Sequence, residues 1–275
     1  MAKVFFLFFL CVGTLASPVF ASTSPAADEK SPFMEVASEH FRGRFIMPDE
    51  RPYVSAVLRK AEEYYIHIAD DIGYARYQDF WTWNQRVVIT LYPDQYAFAR
   101  FTGSPQWSKG FASRDTRLFR EHSIVSYMGQ DNFLNEVLPH EMAHLMVWDY
   151  IAQGKSLPVW FEEGVAQLEE SGKADVVQDA MRPVVTSGKF IPMDSFNLMT
   201  ITGEKEEIKV SLFYAQSLSV VLFLIQKYGS DAFHRFCHEL RDGKSFENAL
   251  DRAYPSAIRS MADLQDHWVK SFQQQ

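Results

Sequence analysis

The chain changes character near Asn132. Upstream of it, β-branched and alternating runs are mixed with one long helical pattern. Downstream, apolar residues recur at helical spacing almost to the end. Strands placed early and helices placed late predict an α+β domain, with a small N-terminal sheet ahead of a mostly helical region. Ser38–Met47 (SEHFRGRFIM) alternates loosely and reads as one strand. Pro52–Ile72 repeats Val54, Val57, Leu58, Ala61, Tyr64, Tyr65 and Ile68 at helical intervals. Arg86–Tyr92 (RVVITLY), a β-branched run stopped by Pro93, reads as a strand, and Asp94–Phe101 as a short helix. Gly103–Arg120 reads as irregular. Ser123–Met128 reads as a third strand, expected at the sheet edge, where an extended chain could pair with it. Loops are expected near Gly154, Gly172, 187–194, 202–207, Gly229 and Gly243.

The first residues read as an export signal. Lys3 precedes the apolar run Val4–Leu15, and the small residues Val19 and Ala21 stand at cleavage spacing. The expected organisation is a signal peptide over 1–21, a flexible mature N-terminus over 22–35, and one domain over 36–275, in an exported periplasmic or extracellular protein. Cleavage would remove Cys11 and leave Cys237 as the only cysteine. Such a chain relies on its core rather than on an internal disulfide. Loss of Lys3 also takes the formal net charge from −8 to −9, which disfavours nucleic acid as a partner. Val210–Ile225 is apolar but interrupted by Gln216, Ser217 and Ser219. It reads as a buried core helix, so no stable membrane insertion is expected after signal cleavage.

The segment Pro139-His140-Glu141-Met142-Ala143-His144 carries the chemistry. Histidines four apart on a helix lie one turn apart on one face, so both imidazoles can reach a single ion. Zinc suits neutral imidazole and accepts tetrahedral geometry with one open position. Glu141 can flank that position as a general base without binding the metal. A catalytic zinc needs a third protein ligand, and Pro158–Ala166 (PVWFEEGVA) offers Glu162 and Glu163.

His140-Glu141-x-x-His144, then eighteen residues, then the Glu of Trp160-x-x-Glu163-Gly164-x-Ala166 resembles the gluzincin metallopeptidases of the aminopeptidase branch and their small stand-alone relatives. The resemblance covers roughly residues 132–230. It implies a zincin-like fold, one Zn²⁺ per chain held by His140, His144 and Glu163, and hydrolysis of a peptide or protein substrate with Glu141 as base. It further implies that Tyr214, ahead of an apolar helix and Lys227-Tyr228-Gly229, donates its hydroxyl to the oxyanion. A family acid falls at Glu170, where it would accept the free N–H of a zinc histidine. The alternative for Glu170 is a solvated surface acid beside Glu169. The branch's Gly-x-Met-x-Asn strand has no counterpart, since the nearest stretch is Ser126–Asn132 (SYMGQDN). The resemblance therefore does not extend to N-terminal exopeptidase action.

Two other functions stay open on sequence: a catalytically silent interaction protein of the cell envelope on a zincin scaffold, and a hydrolase of non-peptide amides. His234 and His238 are also four apart, but Arg235 follows the first, and they read as partly exposed helix histidines. Cys237 reads as a small core residue.

Overall fold

A computed structural model describes residues 32–74, 81, 85–114, 122–200, 206–254 and 257–273. The expected signal peptide, the segment after it as far as residue 31, and residues 202–205 of the loop expected over 202–207 lie outside these residues. The described chain divides into two compact units, one carrying the sheet and one mostly helical.

In the sheet unit (32–62, 81, 85–114 and 122–131), the segment expected as one strand carries one, and a further strand precedes it as the first arm of a hairpin. β1 (Met34–Ala37) runs antiparallel to β2 (Phe41–Phe45). The Ser38 N–H reaches the Phe41 carbonyl at 2.9 Å and closes the turn. Met34 and Glu35, expected at the end of a flexible segment, are thus strand residues. β2 pairs in parallel with β3 (Val87–Tyr92), which is buried along its whole length, as an apolar, β-branched run should be. β4 (Gly110–Ser113) lies within the stretch read as irregular. Its four residues carry little strand signal and become a strand by pairing antiparallel with β5 (Ser123–Tyr127). The order is β1-β2-β3-β5-β4. β5 is therefore an interior strand, held by β3 on one side and β4 on the other, and the expectation that it forms the sheet edge is overturned. Edge positions belong to β1 and β4.

The helix α1 (Arg51–Asp71) follows its predicted apolar repeat. Its first part lies over β2, where a Cβ on Gly43 would run into Val54 and Leu58. The side chain of Asp94 accepts the Ala97 N–H at 2.7 Å and starts α2 (Gln95–Thr102); Gly103, at φ 72°, ends it.

The helical unit (63–74, 132–200, 206–254 and 257–273) holds the last turns of α1 and all the later helices: α3 (Leu138–Met146), α4 (Val159–Leu168), α5 (Lys173–Thr186), α6 (Met193–Leu198), α7 (Glu207–Tyr228), α8 (Ser230–Arg241), α9 (Phe246–Ala253) and α10 (Met261–Ser271). By length and composition α7 could cross a membrane, yet 72 % of its most apolar window is buried against its neighbours. The polar residues that interrupt it are all satisfied. Gln216 bonds the Ile191 N–H and carbonyl at 2.8 and 2.7 Å. Ser217 donates to the Phe213 carbonyl, and Ser219 donates to Gln178 and accepts from Trp268. A buried polar group costs little only when bonded in this way. α4 lies tightly along α7 because Gly164 has no side chain; a Cβ there would stand 2.6 Å from the Ser217 carbonyl oxygen and from Val221. Trp160, Phe161, Phe196, Phe236 and Phe246 interlock beside this contact, with ring centroids 5.1–5.7 Å apart. The chain is an α+β protein consistent with a zincin-like fold.

Candidate metal centre

α3 places His140 and His144 one turn apart, as the spacing requires. Pro139 stands in its first turn. The backbone does not begin there, because a π-helical turn, Phe133–Val137, runs into α3, and the Leu138 N–H reaches back five residues to the Phe133 carbonyl. The wider turn admits Pro139, which has no N–H to contribute. A second π turn, Val147–Ala152, follows α3 and ends at Gln153 with φ 46°.

The imidazole Nε2 atoms of His140 and His144 face each other at 3.1 Å. Glu163, from α4, brings its Oε2 to 3.7 Å from both. All three side chains are buried. Ligands about 2.0–2.1 Å from a tetrahedral zinc stand roughly 3.3 Å from one another, and this triangle matches that spacing. At 3.7 Å the carboxylate is near enough for charge attraction but beyond hydrogen-bond length, and its buried Oε2 meets no hydrogen-bond donor among the described residues. Two facing ring nitrogens and an unmet carboxylate oxygen are the donor set a cation would satisfy.

The two imidazoles have different surroundings. His140 Nδ1 lies 2.9 Å from Glu170 Oε1, and Lys173 Nζ lies 2.6 Å from the other Glu170 oxygen. Burial alone would push the Glu170 carboxyl up; His140 and Lys173 outweigh it and hold the pKa below the usual carboxylate value. A Glu170 carboxylate at this distance is placed to accept an Nδ1–H of His140, the arrangement that would leave Nε2 free to face the triangle. Glu170 is therefore not a solvated surface acid. Its neighbour Glu169 is buried as well.

Burial opposes charge on His144. The Glu163 carboxylate, with Glu141 and Glu162 nearby, overrides it and raises His144 to about 9. Trp148 stacks on the His144 ring at 5.6 Å, and its indole N–H donates to Glu162 at 2.7 Å. Adjacent acids on α4 thus face different ways: Glu163 toward the histidines, Glu162 toward Trp148. Glu141 is buried on α3 between the two histidines in sequence. Gln167 bridges the backbones of α4 and α7 by donating to the carbonyls of Glu163 and Tyr214 at 3.2 and 3.0 Å. Tyr214 consequently sits on the turn of α7 that faces the Glu163 turn of α4, and it is buried.

A sequence model of the Peptidase MA superfamily matches residues 94–273, which include every residue of this site. The chain belongs to the Peptidase MA superfamily. Membership places it among zincin-like, protease-like hydrolases, a superfamily that is typically metal-dependent. Comparison with the curated proteins gives no match.

Several contributors to this candidate site had no motif to announce them. Lys173, three residues from Glu170, carries the helical spacing of an ion pair and was discoverable from it. Trp148 and Gln167 were not, because each bonds a residue of another helix, Glu162 and Tyr214 respectively. His238, weighed as a second metal ligand, instead bonds the Gly73 carbonyl through Nε2 at 2.9 Å. Cys237 is fully buried, and burial pushes its thiol far up. His122 stands at the start of β5, where its carbonyl accepts the Val88 N–H.

Proposed function

We propose that this member of the superfamily is a zinc-dependent peptidase of gluzincin type, with His140, His144 and Glu163 holding one Zn²⁺. The observation that carries the reading is the buried donor triangle of 3.1, 3.7 and 3.7 Å, backed by Glu170 on the far nitrogen of His140. When bound there, zinc supplies Lewis acidity that polarises a carbonyl and acidifies water.

The protein's own groups then divide the work. The Glu141 carboxylate takes one proton from the attacking water as its oxygen bonds the scissile carbonyl carbon. The same carboxyl returns the proton to the amide nitrogen as the C–N bond breaks, so the carboxylate base is protonated and regenerated once per turnover. Tyr214 donates its O–H to the oxyanion of the tetrahedral intermediate. Glu170 and Trp148 hold the two imidazoles in orientation. A peptide or unstructured protein is the substrate, and the N-terminal 21 residues direct export.

Glu141→Gln tests the reading. The amide is nearly isosteric but takes no proton, so zinc and fold should persist while hydrolysis of an unstructured protein falls about 10²–10⁴-fold. Undiminished turnover would remove Glu141 from the mechanism. A wild-type chain that binds zinc and cleaves neither peptides nor proteins would favour the silent scaffold or a non-peptide amide substrate.

A further inference from the structure

A second group of ligand-type side chains lies in the helical unit, away from the residues assigned above. His67 and Asp71 stand one turn apart at the C-terminal end of α1, with His67 Nδ1 3.5 Å from Asp71 Oδ2. Glu169, the C-cap residue of α4, faces them, and one donor atom from each of the three lies within 4.8 Å of the others. The burial is graded: His67 is exposed, Asp71 partly buried and Glu169 buried, with 6 % of its surface accessible.

Glu169 is the anomaly. Among the described residues no N–H or O–H group donates to either of its carboxylate oxygens, although both are shut off from solvent. The group it faces is another carboxyl, that of Asp71. Two ionised carboxylates are both acceptors and repel; only with a proton between them do they bond. Burial, the Asp71 charge and the hydrogen bond such a proton makes to Asp71 together push Glu169 well above the usual carboxylate range, and burial raises Asp71 too. A shared proton would satisfy one oxygen of Glu169 and leave the second unmet. A cation between the two acids would answer both, and the approaching imidazole nitrogen supplies a further ligand.

We infer that His67, Asp71 and Glu169 form a second metal site, for a divalent transition-metal ion of the zinc class, that clips the end of α1 to the end of α4. The donor chemistry chooses the class. One imidazole with two carboxylates suits zinc, cobalt or manganese, whereas calcium and magnesium prefer all-oxygen shells. Exposed His67 gives an ion a route in from solvent, and the acidic chain favours cation uptake. The inference is independent of the peptidase mechanism, since none of the three residues serves the first site. One consequence does connect them: Glu169 precedes Glu170, which holds His140, so an ion here braces the turn that orients a first-site histidine.

The test is equilibrium dialysis of the mature chain against rising Zn²⁺, with bound metal counted and the thermal midpoint followed. Wild type should take two equivalents, the second accompanied by a further rise in midpoint. His67→Ala, at an exposed position that leaves packing intact, and Glu169→Gln should each weaken the second equivalent by more than about tenfold, the lower end of the loss seen on removing even an outer partner of a metal ligand. Both should keep the first equivalent. His144→Ala should show the reverse, losing the first and keeping the second, so failure of either site is read separately. Metal-free Glu169→Gln should be at least as heat-stable as metal-free wild type, because it removes the facing charge. Saturation of wild type at one equivalent that His144→Ala abolishes would overturn the inference. So would two equivalents retained at unchanged affinity in both His67→Ala and Glu169→Gln.

Discussion

Glu170 and His140 meet at 2.9 Å, carboxylate oxygen to imidazole Nδ1, inside the helical unit. The contact joins the residue just beyond the end of α4 to the first histidine of α3, and Lys173 keeps the acid charged. It determines which nitrogen of His140 is left to bind an ion. Glu170→Gln should therefore weaken zinc binding about 10–100-fold, as loss of an outer hydrogen-bond partner typically does. Competition with a chelator of known affinity would measure it; an unchanged affinity would make Glu170 a mere structural acid.

Glu162 and Glu163 differ by one position and point to different partners. Glu163→Gln should strip the first-site metal, whereas Glu162→Gln should keep it and disturb mainly the Trp148 contact. Metal analysis of the two purified variants decides between them. The reverse pattern would shift the ligand by one residue.

Tyr214→Phe deletes one hydroxyl from a buried ring and should leave packing intact. If that hydroxyl serves the oxyanion, kcat should drop about 10²–10³-fold with a smaller effect on KM. A folded, zinc-loaded variant with normal kcat would assign the donor role elsewhere.

The charge on His144 predicts a pH dependence. Its pKa in the fold, about 9, lies above the ordinary histidine value of 6.5. The stabilisation from its pairing with Glu163 in chelator-treated protein should thus be fully present below about pH 6.5 and fade as pH rises through about 9. Zinc requires the neutral imidazole, so binding near neutral pH should expel about one proton per ion, and affinity should climb with pH up to about 9. Calorimetry in buffers of differing ionisation enthalpy counts the proton. No release at pH 7.5 would contradict the shift.

Gly164→Ala should destabilise the fold by about 1–3 kcal/mol, the usual cost of overpacking, because the new methyl meets the Ser217 carbonyl oxygen, which cannot move without bending α7. Denaturant unfolding of the variant measures this.

Much of the architecture could be read from local pattern. The unbroken apolar run of β3 and the helical repeat of α1 each specify their own burial, and the buried polar residues of α7 did not disguise a core helix. β1 and β4 were missed for one reason. Four residues such as Gly110–Ser113 have no periodicity of their own, and their strand character comes from the following strand that pairs with them. The edge role expected of β5 failed likewise, because a strand's flanks depend on who pairs with it.

By itself the sequence determined that His140 and His144 share a helix face and that an acid follows the first histidine; Glu163 and Glu170 share no face, because α4 stops at Leu168. Periodicity is a property of one helix, so one helix suffices to establish it. Only the tertiary structure decided what each face meets: Glu163 on the histidines and Glu162 on Trp148, Glu170 on His140 and Glu169 on Asp71. Neighbouring side chains on a helix diverge by about 100°, so adjacent acids are sent to unrelated partners. Which partner waits there is set by helix packing across Gly164 and α7, among residues far apart in the chain.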